Sequence, residues 1–210
     1  MSSEESRSRE LFVVGSSGAI LLAGVVLSAL TWSGDAGRPL FFVLLGVAVL
    51  AQIVTTTVDH DIDSSVSGVF LCAVLAIGFL DPACAFAIPV VTNLVWGIIG
   101  RKRRQALLVN TAGQSTPDAF AAWIVGGLAL AHTGVAFPLV LAAAGAAVLI
   151  INIVFVDVQM NLLDGLPASR VALHREYLGP AALNIALAAA LAEVYVQTGL
   201  AVIEIGRAHV

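Results

Sequence analysis

Apolar runs of about 20 residues recur along the chain from Leu11 onward, and nothing else in the sequence constrains the fold as strongly. Bounded by glycine, proline and charge, they cover residues 11–31, 40–58, 64–80, 82–100, a composite stretch 105–131, 137–156 and 178–196, and an eighth opens at Leu200. Each complete run approaches the length of an α-helix that crosses a hydrocarbon core of about 30 Å. The third and fourth are short and meet at Asp81-Pro82 with almost no loop, which reads as a helical hairpin. Composition agrees: 59% of the 210 residues are hydrophobic and 11% are charged, where soluble domains carry about 45–50% and 25%. Those figures exclude a soluble globular enzyme, and a net charge of only -4 excludes a solvated, disordered chain. The expected fold is all-α, a polytopic transmembrane bundle of about seven spans plus a truncated eighth.

Lysine and arginine set the orientation. With the N-terminus in the cytoplasm, the inner segments hold Arg7, Arg9, Arg101, Lys102, Arg103, Arg104, Arg170 and Arg175, and the outer loops hold Arg38 alone. The Arg101-Lys102-Arg103-Arg104 run then marks the inner face, and a nucleic-acid partner has no support. Residues 1–10 read as a polar cytoplasmic tail; no small-residue cleavage site follows the first apolar run, so that helix is retained. Cys72 and Cys84 lie at depths that differ by roughly 10 Å along their helices, too far to bridge, and read as small buried hydrophobes.

The end of the chain has its own signature. Ile205-Gly206-Arg207-Ala208-His209-Val210 is what the codons ATC GGA AGA GCA CAC GTC encode, a string that resembles a common sequencing adapter, and Glu204 fits its leading bases. The expectation is an integral-membrane domain over residues 11–203 and a non-native tail over 204–210. An eighth helix from Leu200 would return the chain to the cytoplasm, where a further domain is expected.

Few residues carry chemistry. Asp59-His60-Asp61-Ile62-Asp63 is the densest polar cluster, yet as a divalent-metal site Asp59, His60, Asp61 and Asp63 would need further ligands, and a solvated loop is the simpler reading. Asn110, Gln114 and Asp118 recur at i, i+4 and i+8, one polar stripe if the helix is continuous. An ionisable group at membrane depth is costly unless it faces the bundle interior, so Asp118 is the leading intramembrane candidate. A competing local reading makes Thr116-Pro117-Asp118 a helix start, with Thr as N-cap, Pro at the first position and an acid on the helix dipole. Residues 105–115 would then lie near the inner surface or re-enter. Asn93 and Asn152 are buried amides in the fourth and sixth spans and complete the set of pocket candidates; Asn184 is a further interhelical amide, and Glu193 snorkels toward the outer end. Trp32, Trp96, Trp123 and Tyr195 fall near span ends, where aromatic rings anchor. Phosphate-binding glycine loops, paired CxxC motifs and nucleophile elbows do not occur.

From about residue 40 to 203 the order of features resembles the N-terminal membrane region of bacterial signalling proteins of the HD-GYP and HD phosphohydrolase group, a sensory module of the MASE kind. The resemblance rests on Ser64-Ser65-Val66-Ser67-Gly68-Val69-Phe70, Gly78-Phe79-Leu80-Asp81-Pro82-Ala83, the basic run at Arg101 to Arg104, Val109-Asn110-Thr111-Ala112, a helix carrying Asn152, Tyr177-Leu178-Gly179-Pro180, Val194-Tyr195 and Gly199. It implies packing similar to a transporter substrate-binding subunit and a place in the bacterial inner membrane. It also implies a small-molecule or membrane stimulus, an output domain in cis that hydrolyses a phosphoester such as cyclic di-GMP, and an assembly that admits a homodimer. No catalytic residue and no cofactor falls to this fragment; a divalent metal is implied only for the output domain. The alternative is a small-solute transporter or substrate-capture subunit. Replacing Arg101, Lys102, Arg103 and Arg104 with glutamate is expected to disturb insertion, read as altered accessibility of a reporter cysteine in the adjoining turn; unchanged accessibility counts against the orientation.

Overall fold

The computed structural model describes residues 3–33, 39–58, 68–128, 136–166 and 175–198, and within them every regular element is a helix. In chain order these are α1 (Ser3–Leu30), α2 (Pro39–Val58), α3 (Gly68–Phe79), α4 (Pro82–Ile99), α5 (Arg104–Gly127), α6 (Ala136–Leu163) and α7 (Arg175–Thr198). Four segments, Glu4–Leu30, Pro39–Thr56, Pro82–Ile99 and Ala136–Leu163, are long and apolar enough to cross a membrane. The other three fall short of the seven expected spans for separate reasons. The 12 residues of α3 reach only about 18 Å, the apolar part of α7 is confined to Gly179–Val194, and α5 is long but carries the polar stripe.

That polar helix sits inside the bundle. α5 packs against α1, α3, α4 and α6, while α2 covers α3 and α4, and α7 covers α3 and α6. The outward surfaces are apolar: Leu11, Leu22, Phe42, Leu50, Ile98, Leu139 and Ile150 are each exposed by 60% or more, a belt that water would not tolerate and hydrocarbon does. Inward faces use small residues, such as Ala48, Ala76, Ala112, Ala119 and Ala188, which let backbones approach closely. Gly24 marks the tightest approach. A Cβ there would stand 2.5 Å from the Phe86 ring and 2.6 Å from the Thr116 hydroxyl. The larger core side chains gather at the opposite end from the basic run, where Phe79 meets Phe137 edge-on with ring centroids 5.5 Å apart.

Hydrogen bonds fix the relative directions of the helices. Gln105 Nε2 donates to Glu10 at 2.7 Å, and Thr116 Oγ1 donates to the Ile20 carbonyl at 3.0 Å, so α1 and α5 run parallel. Residues 3–10 form the helical first turns of α1. They lie at the same end as Arg101 to Arg104, so Arg7 and Arg9 share that end with the basic run. The turn between α4 and α5 is closed by Lys102 N–H on the Gly97 carbonyl (3.3 Å) and Gly100 N–H on the Trp96 carbonyl (2.8 Å), with Arg101 in the left-handed region at φ 47°. Lys102 caps the turn from outside, its ammonium 5.1 Å from the Trp96 ring centroid.

At the far end, Asp81 joins three elements. It is the N-cap of α4, accepting from Cys84 N–H at 2.8 Å, with Pro82 at the first helical position. Its second oxygen accepts from the Ser33 amide (3.1 Å) and hydroxyl (2.9 Å), which ties the end of α1 to the α3–α4 turn. Burial alone would push this carboxyl up, but the donors from Cys84 and Ser33 outweigh it and hold Asp81 below its ordinary value of 3.8. A lowered folded-state value contributes stability above the ordinary one that is lost as pH falls through the folded one. Asp81→Ala is expected to cost about 1–3 kcal/mol, seen as a lower melting midpoint in detergent. The difference from the native protein should shrink as pH drops below about 4; a constant difference from pH 7 to pH 3 would count against the charge-assisted clasp.

Candidate functional site

The helix that carries the polar stripe is continuous. Residues 104–127 form one helix, so Thr116-Pro117-Asp118 is not a helix start and residues 105–115 neither lie on the surface nor re-enter. Pro117 lies inside this helix, where neighbouring helices enclose the backbone group its missing N–H leaves free. The Thr116 hydroxyl, expected to cap the helix, instead reaches α1 through its bond to Ile20. Asp118 stands about 21 Å along the helix from Arg104, deep between the two ends, and is only 3% exposed.

Four of the five predicted pocket residues come together there. Gln114, Asp118 and Asn152 line one cavity of about 30 Å³ with Pro89 and apolar side chains of α3 and α6. Asn93 joins them from α4: its Nδ2 donates both to the Pro89 carbonyl and to Gln114 Oε1, each at 2.9 Å. Four helices thus meet at one polar point, α3 supplying wall and α4, α5 and α6 supplying amides and the carboxyl. Asn110 is set apart. Its Nδ2 turns back to the Ala106 carbonyl at 2.9 Å, the local bond of an amide with no interhelical partner.

The α5–α6 approach is what brings Asn152 to the stripe. A Cβ on Gly113 would lie 2.8 Å from the Phe155 ring, 3.0 Å from Val156 and 3.2 Å from Asn152 Oδ1. Asn152 Oδ1 is buried and accepts no hydrogen bond among the described residues, and the Asp118 carboxyl has no hydrogen-bond partner there either. Such groups at membrane depth are kept only where something satisfies them, since an ionised carboxylate there costs about 2.5–3.5 kcal/mol.

A second concavity is chemically different. It has a volume of about 510 Å³ and runs between α5 and α6 beneath Ile20 of α1, walled by Ala112, Pro117, Phe120, Ala144 and Ile151 among others. Thr116, already bonded to Ile20, is its one hydroxyl.

The chain matches no protein-family model, and no curated protein and no solved structure is significantly similar to it.

Other predicted residues fall elsewhere. Asp59, His60, Asp61 and Asp63 lie outside the described residues, as do residues 199–210 and the expected eighth helix. Among the described residues no three His, Cys, Asp or Glu side chains group to hold a metal. Cys72 and Cys84 are both buried and form no disulfide with each other. Trp32 and Trp123 are more than half exposed toward the end opposite the basic run, and Trp96 lies at the basic end, as interfacial anchors would. Glu193 accepts from Gln197 one turn on, at 2.6 Å.

Sequence reasoning missed the Ser33–Asp81 clasp, although Asp-Pro at a helix start was a legible N-cap signal. It also missed Gly113, whose value lies in what faces it across α6. Gly113→Val is expected to cost about 1–3 kcal/mol by forcing α5 from α6. Asn110→Ala should stay within about 0.5 kcal/mol of the native protein. Thermal melting of the two variants in the same detergent checks the contrast, and equal midpoints would contradict the assigned packing.

Proposed function

We propose that the chain is the membrane-embedded sensory module of a bacterial signalling protein. On this reading it is multi-pass in the inner membrane with its N-terminus in the cytoplasm and about seven crossings. It acts in cis on a cytoplasmic output domain of the HD-GYP or HD phosphohydrolase kind that turns over cyclic di-GMP. The observation that carries the reading is the convergence of Asn93, Gln114, Asp118 and Asn152 where α3, α4, α5 and α6 meet. A buried polar point shared by four helices is where an occupant has most leverage on their packing, and signalling needs an occupant with different affinity for two packings. The orientation is supported by Arg7, Arg9 and the run from Arg101 to Arg104 at one end. The choice of output domain is supported by the ordered residue pattern from Ser64 to Gly199. Catalysis and its divalent metal belong to that output domain.

The groove beneath Ile20 favours one second reading, a substrate-capture subunit for an apolar solute, because its size and lining suit a small apolar molecule. The two readings part at the native locus. Sequencing past the codon for Ile203 should find the frame continuing into a phosphohydrolase or diguanylate cyclase domain. A stop codon shortly after a completed eighth helix would overturn the sensory reading in favour of the transporter-like one. In the full-length protein reconstituted in vesicles, Asp118→Ala is expected to alter cyclic di-GMP hydrolysis at least severalfold; an unaltered rate in a folded variant would remove Asp118 from signalling.

A further inference from the structure

The turn between α4 and α5 carries charge that its surroundings do not neutralise. Between Asp81 and Asp118 the sequence holds Arg101, Lys102, Arg103 and Arg104 and no acid. All four are exposed, and none forms an ion pair among the described residues. Two acids of the neighbouring α1 are directed elsewhere: Glu5 pairs with Arg9 at 2.8 Å, and Glu10 accepts from Gln105 at 2.7 Å. The first turns of α1 present no comparable excess, since Arg7 and Arg9 stand among Glu4, Glu5 and Glu10. The surplus of positive charge is therefore local to one turn.

That turn has a fixed shape and an apolar floor. Gly100 N–H on the Trp96 carbonyl and Lys102 N–H on the Gly97 carbonyl close it, and the Lys102 ammonium is drawn back over the Trp96 ring. The guanidinium groups of Arg101, Arg103 and Arg104 keep no bonded partner among the described residues. Arg103 opens α5 without a side-chain cap, so the first amides of that helix add to the positive field. The preceding helix, Pro82–Ile99, is long and apolar enough to cross a membrane, which sets the turn at the bilayer surface. Leu94 and Ile98, one helical turn apart on the same face of α4, are exposed by 47% and 77%. An apolar strip thus leads straight up to the basic turn.

The occupant that satisfies both halves is amphiphilic. Arginine forks take phosphate oxygens in paired, charge-assisted hydrogen bonds, and an acyl chain covers Leu94 and Ile98. A soluble phosphate or an acidic protein surface would meet the charge and leave the strip unused. A zwitterionic lipid brings its own ammonium to the phosphate, whereas an anionic one leaves a net charge for the cations to neutralise. We propose that the α4–α5 turn, through Arg101, Arg103 and Arg104 with Lys102 held over Trp96, is a binding site for the headgroup phosphate of one anionic phospholipid whose acyl chain lies along Leu94 and Ile98. The site is defined by the bilayer and not by an output domain, so it stands apart from the sensory reading.

Trp96 reports on the site from within it, because Trp32 and Trp123 lie at the opposite end. The full chain with Trp32→Phe and Trp123→Phe is reconstituted in vesicles of phosphatidylcholine and phosphatidylglycerol, and quenching of Trp96 is measured with the chains of each lipid brominated in turn. Phosphatidylglycerol should be preferred beside Trp96 by at least about fivefold, the factor that one basic residue at a membrane surface confers. The preference should fall as salt rises. A companion chain that keeps only Trp123 should show none. Replacing Arg101, Lys102, Arg103 and Arg104 with glutamine should bring the ratio at Trp96 close to unity, whereas Arg7→Gln with Arg9→Gln should leave it unchanged. Size-exclusion elution and melting report whether each variant is folded; if the fourfold variant is not, Arg103→Gln with Arg104→Gln should still cut the preference by about twofold or more. Equal quenching by the two lipids in the chain with its basic turn intact overturns the proposal whatever the variants do. So does an equal preference at Trp123, or one that survives loss of all four cations in a folded chain. A preference abolished by millimolar inorganic phosphate at constant ionic strength overturns it in favour of a soluble phosphate ligand.

Discussion

The bundle is organised by the need to keep one helix away from lipid. α5 carries Asn110, Gln114, Ser115, Thr116 and Asp118 within nine residues, too polar a segment to face hydrocarbon. The other helices are arranged so that it does not. α1, α3, α4 and α6 each pack on it, and α2 and α7 close the outer ring. The consequence is a protein turned inside out relative to a soluble bundle, apolar outside, with small residues and amides within. Its interior is held by close backbone approach and a few directed hydrogen bonds, because the hydrophobic effect does little between helices already in an apolar medium.

Much of this architecture was legible in the sequence. The apolar runs placed helices close to their observed positions, and the i, i+4, i+8 spacing predicted a stripe that Gln114 and Asp118 do form. Asn93 and Asn152 were identified from residue type and depth alone, since an amide in an apolar run needs a partner. What was not legible depended on tertiary context. Thr116-Pro117-Asp118 has every local mark of a helix start, and the enclosure of α5 by its neighbours is what a local reading does not contain. Asn110 shares the spacing but points elsewhere, because a period says which residues share a face and not what stands opposite.

The ends of the molecule are built differently from each other. At the basic end, Arg101 holds a left-handed conformation that glycine would adopt more readily, so the turn keeps its positive charge at some conformational cost. At the other end a single carboxylate serves three elements at once: it starts α4, receives α1 through Ser33 and closes the short α3–α4 turn. Charge is used at one end to mark a boundary and at the other to hold parts together.

The partnership of α1 bears on how the molecule is assembled. α1 packs on α4, α5 and α6, and its bond to Thr116 joins residues 96 apart in the chain. At about 5–20 residues per second of synthesis, Ile20 is made roughly 5–20 s before the hydroxyl that will bind its carbonyl. Of the described helices, the first to emerge must therefore wait in the bilayer with Gly24 and the buried Ser17 and Ser28 uncovered, while α4 and α5, which meet Gly24 through Phe86 and Thr116, are still being made. A helix with that interval to bridge is the point at which a chaperone, an insertase or a wrong partner has its best opportunity to intervene.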